Sequence, residues 1–158
     1  MASSIEPLHD LSDHAIALHR TVADWRGAVL AAAEALQADG RCEEGYGERM
    51  IALVEEYGPY IVIAPGLALA HARPGPDVLS AGLALVTLDE PVAFGHAHND
   101  PVSVVIGLAA TEADQHVASV AALANVFNDE SVVPALAAAE TPTEVRRLLG
   151  ATAGAELS

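Results

Sequence analysis

The chain has 158 residues, 52% of them hydrophobic and only 4% aromatic, and carries a formal charge of −15 with its seven basic side chains all arginine. Such a length fits one domain, and so acidic a surface repels nucleic-acid phosphates; the charge either attracts a protein partner with a basic face or simply keeps the chain in solution. The longest apolar runs, 81–86 and 102–110, are too short for a membrane span, and Cys42 has no second cysteine to pair with.

In chain order, residues 1–12 are polar and aperiodic and read as a flexible lead-in. Residues 15–19 form a candidate edge strand. Asp24 is placed to cap a helix in which Trp25, Val29, Ala32, Ala33 and Leu36 share a face, and Gly40 stops it. A second helix is expected over 43–56, with Met50, Leu53 and Val54 inward and Gly58-Pro59 ending it. Residues 60–64 are a β-branched run, Pro65-Gly66 a turn, and 67–70 apolar again. Segments 81–88 and 102–110 are apolar almost throughout, as strands covered on both faces are, with Asp89-Glu90-Pro91 and His98-Asn99-Asp100-Pro101 as punctuation. Helical spacing returns over 114–127, where Asp114 is a cap and Val117, Val120, Ala121, Ala124 and Phe127 share a face. Further turns are expected at 131–139, broken by Pro134, and at 143–149, where Thr141-x-x-Glu144 has capping-box spacing. The division is a lead-in (1–12), one domain (13–150) and a tail (151–158). The order of elements predicts an α/β fold with a mixed sheet sandwiched between helices, a three-layer α/β/α arrangement.

Several chemistries are missing from this pattern. There is no phosphate-binding P-loop, no dinucleotide fingerprint, no nucleophile-elbow motif, and without lysine no Schiff base. Histidine is what remains: His71, His96, His98 and His116 lie in or just after the strand-rich half. His71 ends an apolar strand, between Ala70 and Ala72, with Arg73 next. A histidine that accepts a phosphoryl group needs one accessible neutral nitrogen, a second nitrogen fixed by a hydrogen bond, and donors for the arriving charge. Small neighbours leave room for two proteins to meet, and a guanidinium such as Arg73 matches phosphate oxygens. Taken alone, a histidine ending a strand is usually a structural one.

The run Glu55-Glu56-Tyr57-Gly58-Pro59-Tyr60-Ile61-Val62-Ile63-Ala64-Pro65-Gly66-Leu67-Ala68-Leu69-Ala70-His71-Ala72-Arg73 resembles the segment around the phosphorylated histidine of type 2 EIIA domains of the sugar phosphotransferase system. This is the fructose/mannitol superfamily, and the likeness is to its ascorbate-type branch. It continues through Pro91-Val92-Ala93-Phe94-Gly95-His96, Asn99-Asp100-Pro101-Val102 and Asp114-Gln115-His116, over roughly 15–149. The resemblance implies a cytoplasmic phosphotransferase that takes a phosphoryl group from the phosphohistidine of HPr onto His71. It would pass the group to an EIIB component, serving the membrane EIIC indirectly. His116 matches the family's second active-site histidine, and His96 a position at the active-site rim. No ATP, metal or organic cofactor is implied, and monomer or homodimer both fit. Three features depart from the pattern: Ala70 replaces a common proline, Val54 stands nearest the family's arginine with Arg49 a turn earlier, and the N-terminus is long. Arg73 is then the candidate cation for the phosphate.

Two further readings stay beside these. His96-Ala-His98 with Asp100 is either a zinc-ligand spacing or a polar loop between buried strands. The acidic neighbours Glu43 and Glu44 make Cys42 an ordinary residue. Among functions, a regulatory EIIA-like phosphoprotein acting through a protein partner is the alternative to the carrier.

Overall fold

The computed structural model describes residues 11–112, 121 and 123–157. Asp114, Gln115, His116, Val117 and Val120 lie outside the described residues, as does most of the lead-in.

A single 3-10 turn, Asp13–Ala15, leads into strand β1 (Ile16–Arg20). Helix α1 (Trp25–Ala38) starts where expected because the Asp24 carboxylate accepts from the Gly27 N–H at 3.1 Å. It ends at Gly40, whose φ of 75° lies in the left-handed region that glycine occupies without strain. Helix α2 (Tyr46–Tyr57) begins three residues later than the expected start at Glu43. The delay has a cause: Cys42 bridges to Val78 and the Glu43 N–H donates to Asp77 O, so residues 42–43 are tied to a neighbouring segment.

Strands β2 (Val62–Ala64), β3 (Leu67–His71), β4 (Gly82–Val92) and β5 (Val102–Ala109) complete a five-stranded mixed sheet in the order β1-β4-β5-β3-β2. β1 runs parallel to β4 and β3 parallel to β5, while β4–β5 and β2–β3 are antiparallel. β3, β5 and the first half of β4 are buried on both faces, which is why their sequences read as continuous apolar runs. β4 outlasts its expected end at Leu88. Residues 89–92 form an arm beyond a register shift, the kind of place that tolerates Pro91.

α1 covers one face. A Cβ at Gly107 of β5 would stand 3.1 Å from Leu36 Cδ1 and 3.2 Å from Ala32 O, so helix and strand touch backbone to backbone. Alanines 28, 31, 32 and 35 make the approach possible, and Leu36, fully buried, contributes about 2 kcal/mol by its removal from water. Helix α3 (Val132–Ala138) contacts β4 and β5. Pro134 does not break it, because it sits in the first turn, where its missing N–H has no intrahelical acceptor to lose. Helix α4 (Pro142–Leu157) starts as read, with Glu144 N–H donating to Thr141 Oγ1 at 3.2 Å. It runs eight residues past the expected end at Leu149, through a segment rich in the helix former alanine.

Leu11 and Ser12 are also more than a lead-in. Leu11 joins the core, its carbonyl accepts from Arg146, and Ser12 Oγ donates to Asp39 at 2.7 Å.

Candidate active site

β3 carries His71 to its carboxyl end, in register with Leu108 of β5. The preceding four residues are buried apolar side chains, and His71, half-buried, is the first to reach the surface. Its Nδ1 lies 2.7 Å from Leu69 O on the same strand. Since a carbonyl only accepts, Nδ1 carries a proton, and in the neutral ring the lone pair is then on Nε2.

The Tyr60 ring meets the imidazole edge-on, centroids 5.7 Å apart at 89°. Tyr60 follows Gly58, whose φ of 89° turns the chain out of α2 and back toward β3. Leu53 and Tyr57 of α2, with Tyr60, His71, Ala72 and Arg73, line an open cleft of about 340 Å³. Burial pushes the Tyr60 hydroxyl above its ordinary pKa while the Arg73 charge opposes the shift, so the phenol stays neutral and able to donate. Arg73 is exposed at the rim of this cleft.

The other arginine considered, Arg49, is committed elsewhere. It makes a bidentate pair with Asp77 at 2.7 and 2.8 Å and donates to Arg73 O at 2.7 Å. Val54 is buried in the core and brings no charge to the cleft.

His96 is not brought to His71. It sits in the β4–β5 loop that leads into β5, and Gly66 N–H, just before β3, donates to Asn99 O of that loop. β3 then runs parallel to β5 from the Leu67↔Val104 pair to the His71↔Leu108 pair. Four residues of strand, roughly 13 Å at the usual rise, therefore separate the two ends. The rim position expected for His96 is corrected by this parallel pairing. In its loop, His96 Nδ1 accepts from the N–H groups of His98 and Asn99, at 3.2 and 3.1 Å. Asp100 accepts from the N–H groups of Phe94, Gly95 and His96. These atoms hold a loop together, which accounts for the polar cluster without a metal. Among the described residues no group of three or more His, Cys, Asp and Glu is arranged to hold a metal ion.

Sequence reasoning missed Tyr60 and Tyr57 as cleft residues and Tyr46 as a buried anchor near His71. For Tyr46 a signal was present: it precedes Met50 by four residues and Leu53 by seven, extending the inward stripe of α2 by one turn. Tyr60 had none, because only the fold back of β2 onto β3 puts it on the imidazole.

Residues 11–151 match the family model of the phosphoenolpyruvate-dependent sugar phosphotransferase system, EIIA 2. An ascorbate-specific PTS system EIIA component of Shigella flexneri is 38% identical over 148 residues, 92% of this chain and 96% of the relative. The crystal structure of IIA mannitol from Escherichia coli superposes with a TM-score of 0.79 at 30% identity, over 89% of this chain and 99% of that one. The Escherichia coli IIA mannitol domain in complex with phosphorylated IIB mannitol superposes with a TM-score of 0.80 at 28% identity, over 90% of this chain and 98% of that one. Among the described residues no helix is long and apolar enough to cross a membrane.

Proposed function

This chain belongs to the EIIA 2 family of the phosphoenolpyruvate-dependent sugar phosphotransferase system, and from that premise we propose that it is a cytoplasmic phosphocarrier whose phosphoryl acceptor is His71. The observation that carries the reading is the Nδ1–Leu69 carbonyl bond at the mouth of an open cleft. It fixes one nitrogen of a neutral imidazole and leaves the lone pair on the other.

The step follows from that geometry. The Nε2 lone pair attacks the phosphorus of the phosphohistidine of HPr in line. A new N–P bond forms on His71 as the donor's N–P bond breaks, and the donor imidazole leaves with its electron pair. Both ends of the exchange are phosphohistidines, so the step runs near equilibrium. The phosphoryl group then passes to an EIIB component, as the complex of the mannitol relative suggests, and thence the sugar is phosphorylated at EIIC. Ascorbate is the favoured substrate on the strength of the named relative; the EIIA itself meets only protein partners.

Arg73, at the rim of the cleft, and the neutral Tyr60 hydroxyl are the described groups available to the phosphate oxygens. His116 is proposed as the second active-site histidine by its place in the family motif. Its geometry lies outside the described residues.

The test is transfer from labelled phosphoenolpyruvate through EI and HPr. Wild type should acquire an acid-labile, alkali-stable label and His71→Ala none. Folded wild type that stays unlabelled with cognate EI and HPr would overturn the carrier reading and favour the regulatory one.

A further inference from the structure

The registered pairing of β3 with β5 ends at His71↔Leu108, and one residue further on a side chain takes over from the backbone. The Tyr46 hydroxyl donates to Leu108 O at 2.7 Å, accepts from Ala72 N–H at 3.1 Å, and stands 3.2 Å from Ala72 O. Tyr46 itself is fully buried. Burial pushes its hydroxyl up to about 12, so it is a neutral donor and acceptor at any working pH. A phenol from α2 thus bridges the two parallel strands at the point where they part. One bridged strand carries His71, and the other carries its register partner.

The same helix grips the next residue. Arg49, three residues beyond Tyr46, lies with its guanidinium 5.2 Å from the centre of the Tyr46 ring and donates to Arg73 O at 2.7 Å. Its Nε and Nη2 also donate to the two carboxylate oxygens of Asp77. Ala72 and Arg73, the two residues after His71, are therefore fixed in succession by two side chains on one face of α2.

We infer that Tyr46, with Arg49 behind it, is a positioning residue for phosphoryl transfer at His71. Beside the Tyr60 ring, the imidazole is held by the Nδ1 bond to Leu69 O upstream and by the path of the chain leaving His71 downstream. Leu69 belongs to the well-paired part of β3, so the upstream constraint is set by the sheet. The downstream one rests on the Tyr46 hydroxyl. Without it, Ala72 N–H and Leu108 C=O are left buried without this partner, and the His71–Ala72 peptide must shift to find another. That shift turns the ring away from Leu69 O, releases the tautomer, and moves Nε2 off the line of attack. An error of an ångström in such a geometry is enough to slow a reaction markedly. The inference rests on the carrier reading for its rate and on the structure alone for its tautomer.

The experiment compares wild type with Tyr46→Phe on two readouts. The first is the rate of label transfer from phospho-HPr at saturating donor, per folded molecule. The second is the nitrogen-15 spectrum of the His71 imidazole in the unphosphorylated protein. The expected result is a rate lower by about tenfold or more at little-changed half-saturating donor concentration, with the ring moving from one tautomer to a mixture. A purely structural tyrosine would lower the melting temperature and leave both readouts at wild-type values, and that result would overturn the inference. If Tyr46→Phe does not fold, Arg49→Met takes its place: it removes the bond to Arg73 O, and unchanged rate and ring spectrum would overturn the inference equally. Failure of wild type to take label would sink the carrier reading, whereas the tautomer measurement would still decide the positioning role.

Discussion

At the scale of single residues, hydrogen bonding divides the labour of a side chain before any partner arrives. One nitrogen of His71 donates to Leu69 O, and in the neutral ring this puts the lone pair on the other. His96 shows the opposite use of the same ring, its Nδ1 accepting from two backbone N–H groups to hold a loop. The sequence pointed to His71 as the end of an apolar strand flanked by small residues, a pattern with a local physical basis. It offered no such basis for separating His96, because the distance between them is set by strand pairing. Cys42 is legible both ways. Its acidic neighbours predict an unreactive thiol, and burial, with the Asp77 charge, pushes the thiol up to about 11 from 9.0. The thiolate population of the folded protein at pH 8 is then about a hundredfold below that of an ordinary cysteine. A disulfide reagent should label Cys42 slowly in native protein and at once in denaturant; fast stoichiometric labelling of the folded protein would contradict this.

Elements were readable where their ends are punctuated by local chemistry. Asp24 and Gly40 bracket α1, Gly58 closes α2, and Thr141 opens α4, each through a bond or a backbone angle that neighbouring residues supply. Elements were misread where a distant segment intervenes. α2 starts late because Glu43 is bonded to Asp77, and β4 runs on past Leu88 because β5 returns to pair with it at Val92↔Val102. Pro134 would break a helix interior, and only its position in the first turn of α3 makes it harmless. The contact between α1 and β5 gives a test at this scale. Gly107→Ala places a methyl against Ala32 O and Leu36, and the carbonyl is part of a helix that cannot yield cheaply. The expected cost is about 1–2 kcal/mol, read as a lower denaturant midpoint at unchanged slope. No loss of stability would mean that α1 rides more loosely on the sheet than the distances state.

At the scale of the whole molecule, an excess of acidic groups is held in place by a few arginines at loop junctions. Asp77 is drawn below its ordinary 3.8 by the bidentate Arg49, against the opposing effect of burial. For Asp39 burial pushes upward, but bonds from Ser12 and Arg41 and the Arg41 charge together outweigh it. Folded values below unfolded ones mean stability that is present above pH 3.8 and lost as pH falls through the folded values. Arg49 is partly exposed, so the Asp77 pair is worth on the order of 1 kcal/mol after solvent screening. Asp77→Asn should therefore melt below wild type at pH 7, and the gap should close as pH falls below 3.8. A gap that stays constant with pH would show that Asp77 acts by shape and not by charge. What the sequence by itself determined is whatever a run of neighbours can specify: an acidic, lysine-free chain, buried strands as unbroken apolar runs, capped helices, and a histidine delivered to a strand end inside a family motif. What only the tertiary structure decided is which of those residues meet. The parallel pairing of β3 with β5 sets His96 at the far end from His71, the fold back of β2 lays Tyr60 on the imidazole, and α2 brings Tyr46 and Arg49 against the residues that follow it. Those contacts join residues well separated along the chain, and no local pattern encodes them, because their geometry follows from strand order and helix packing.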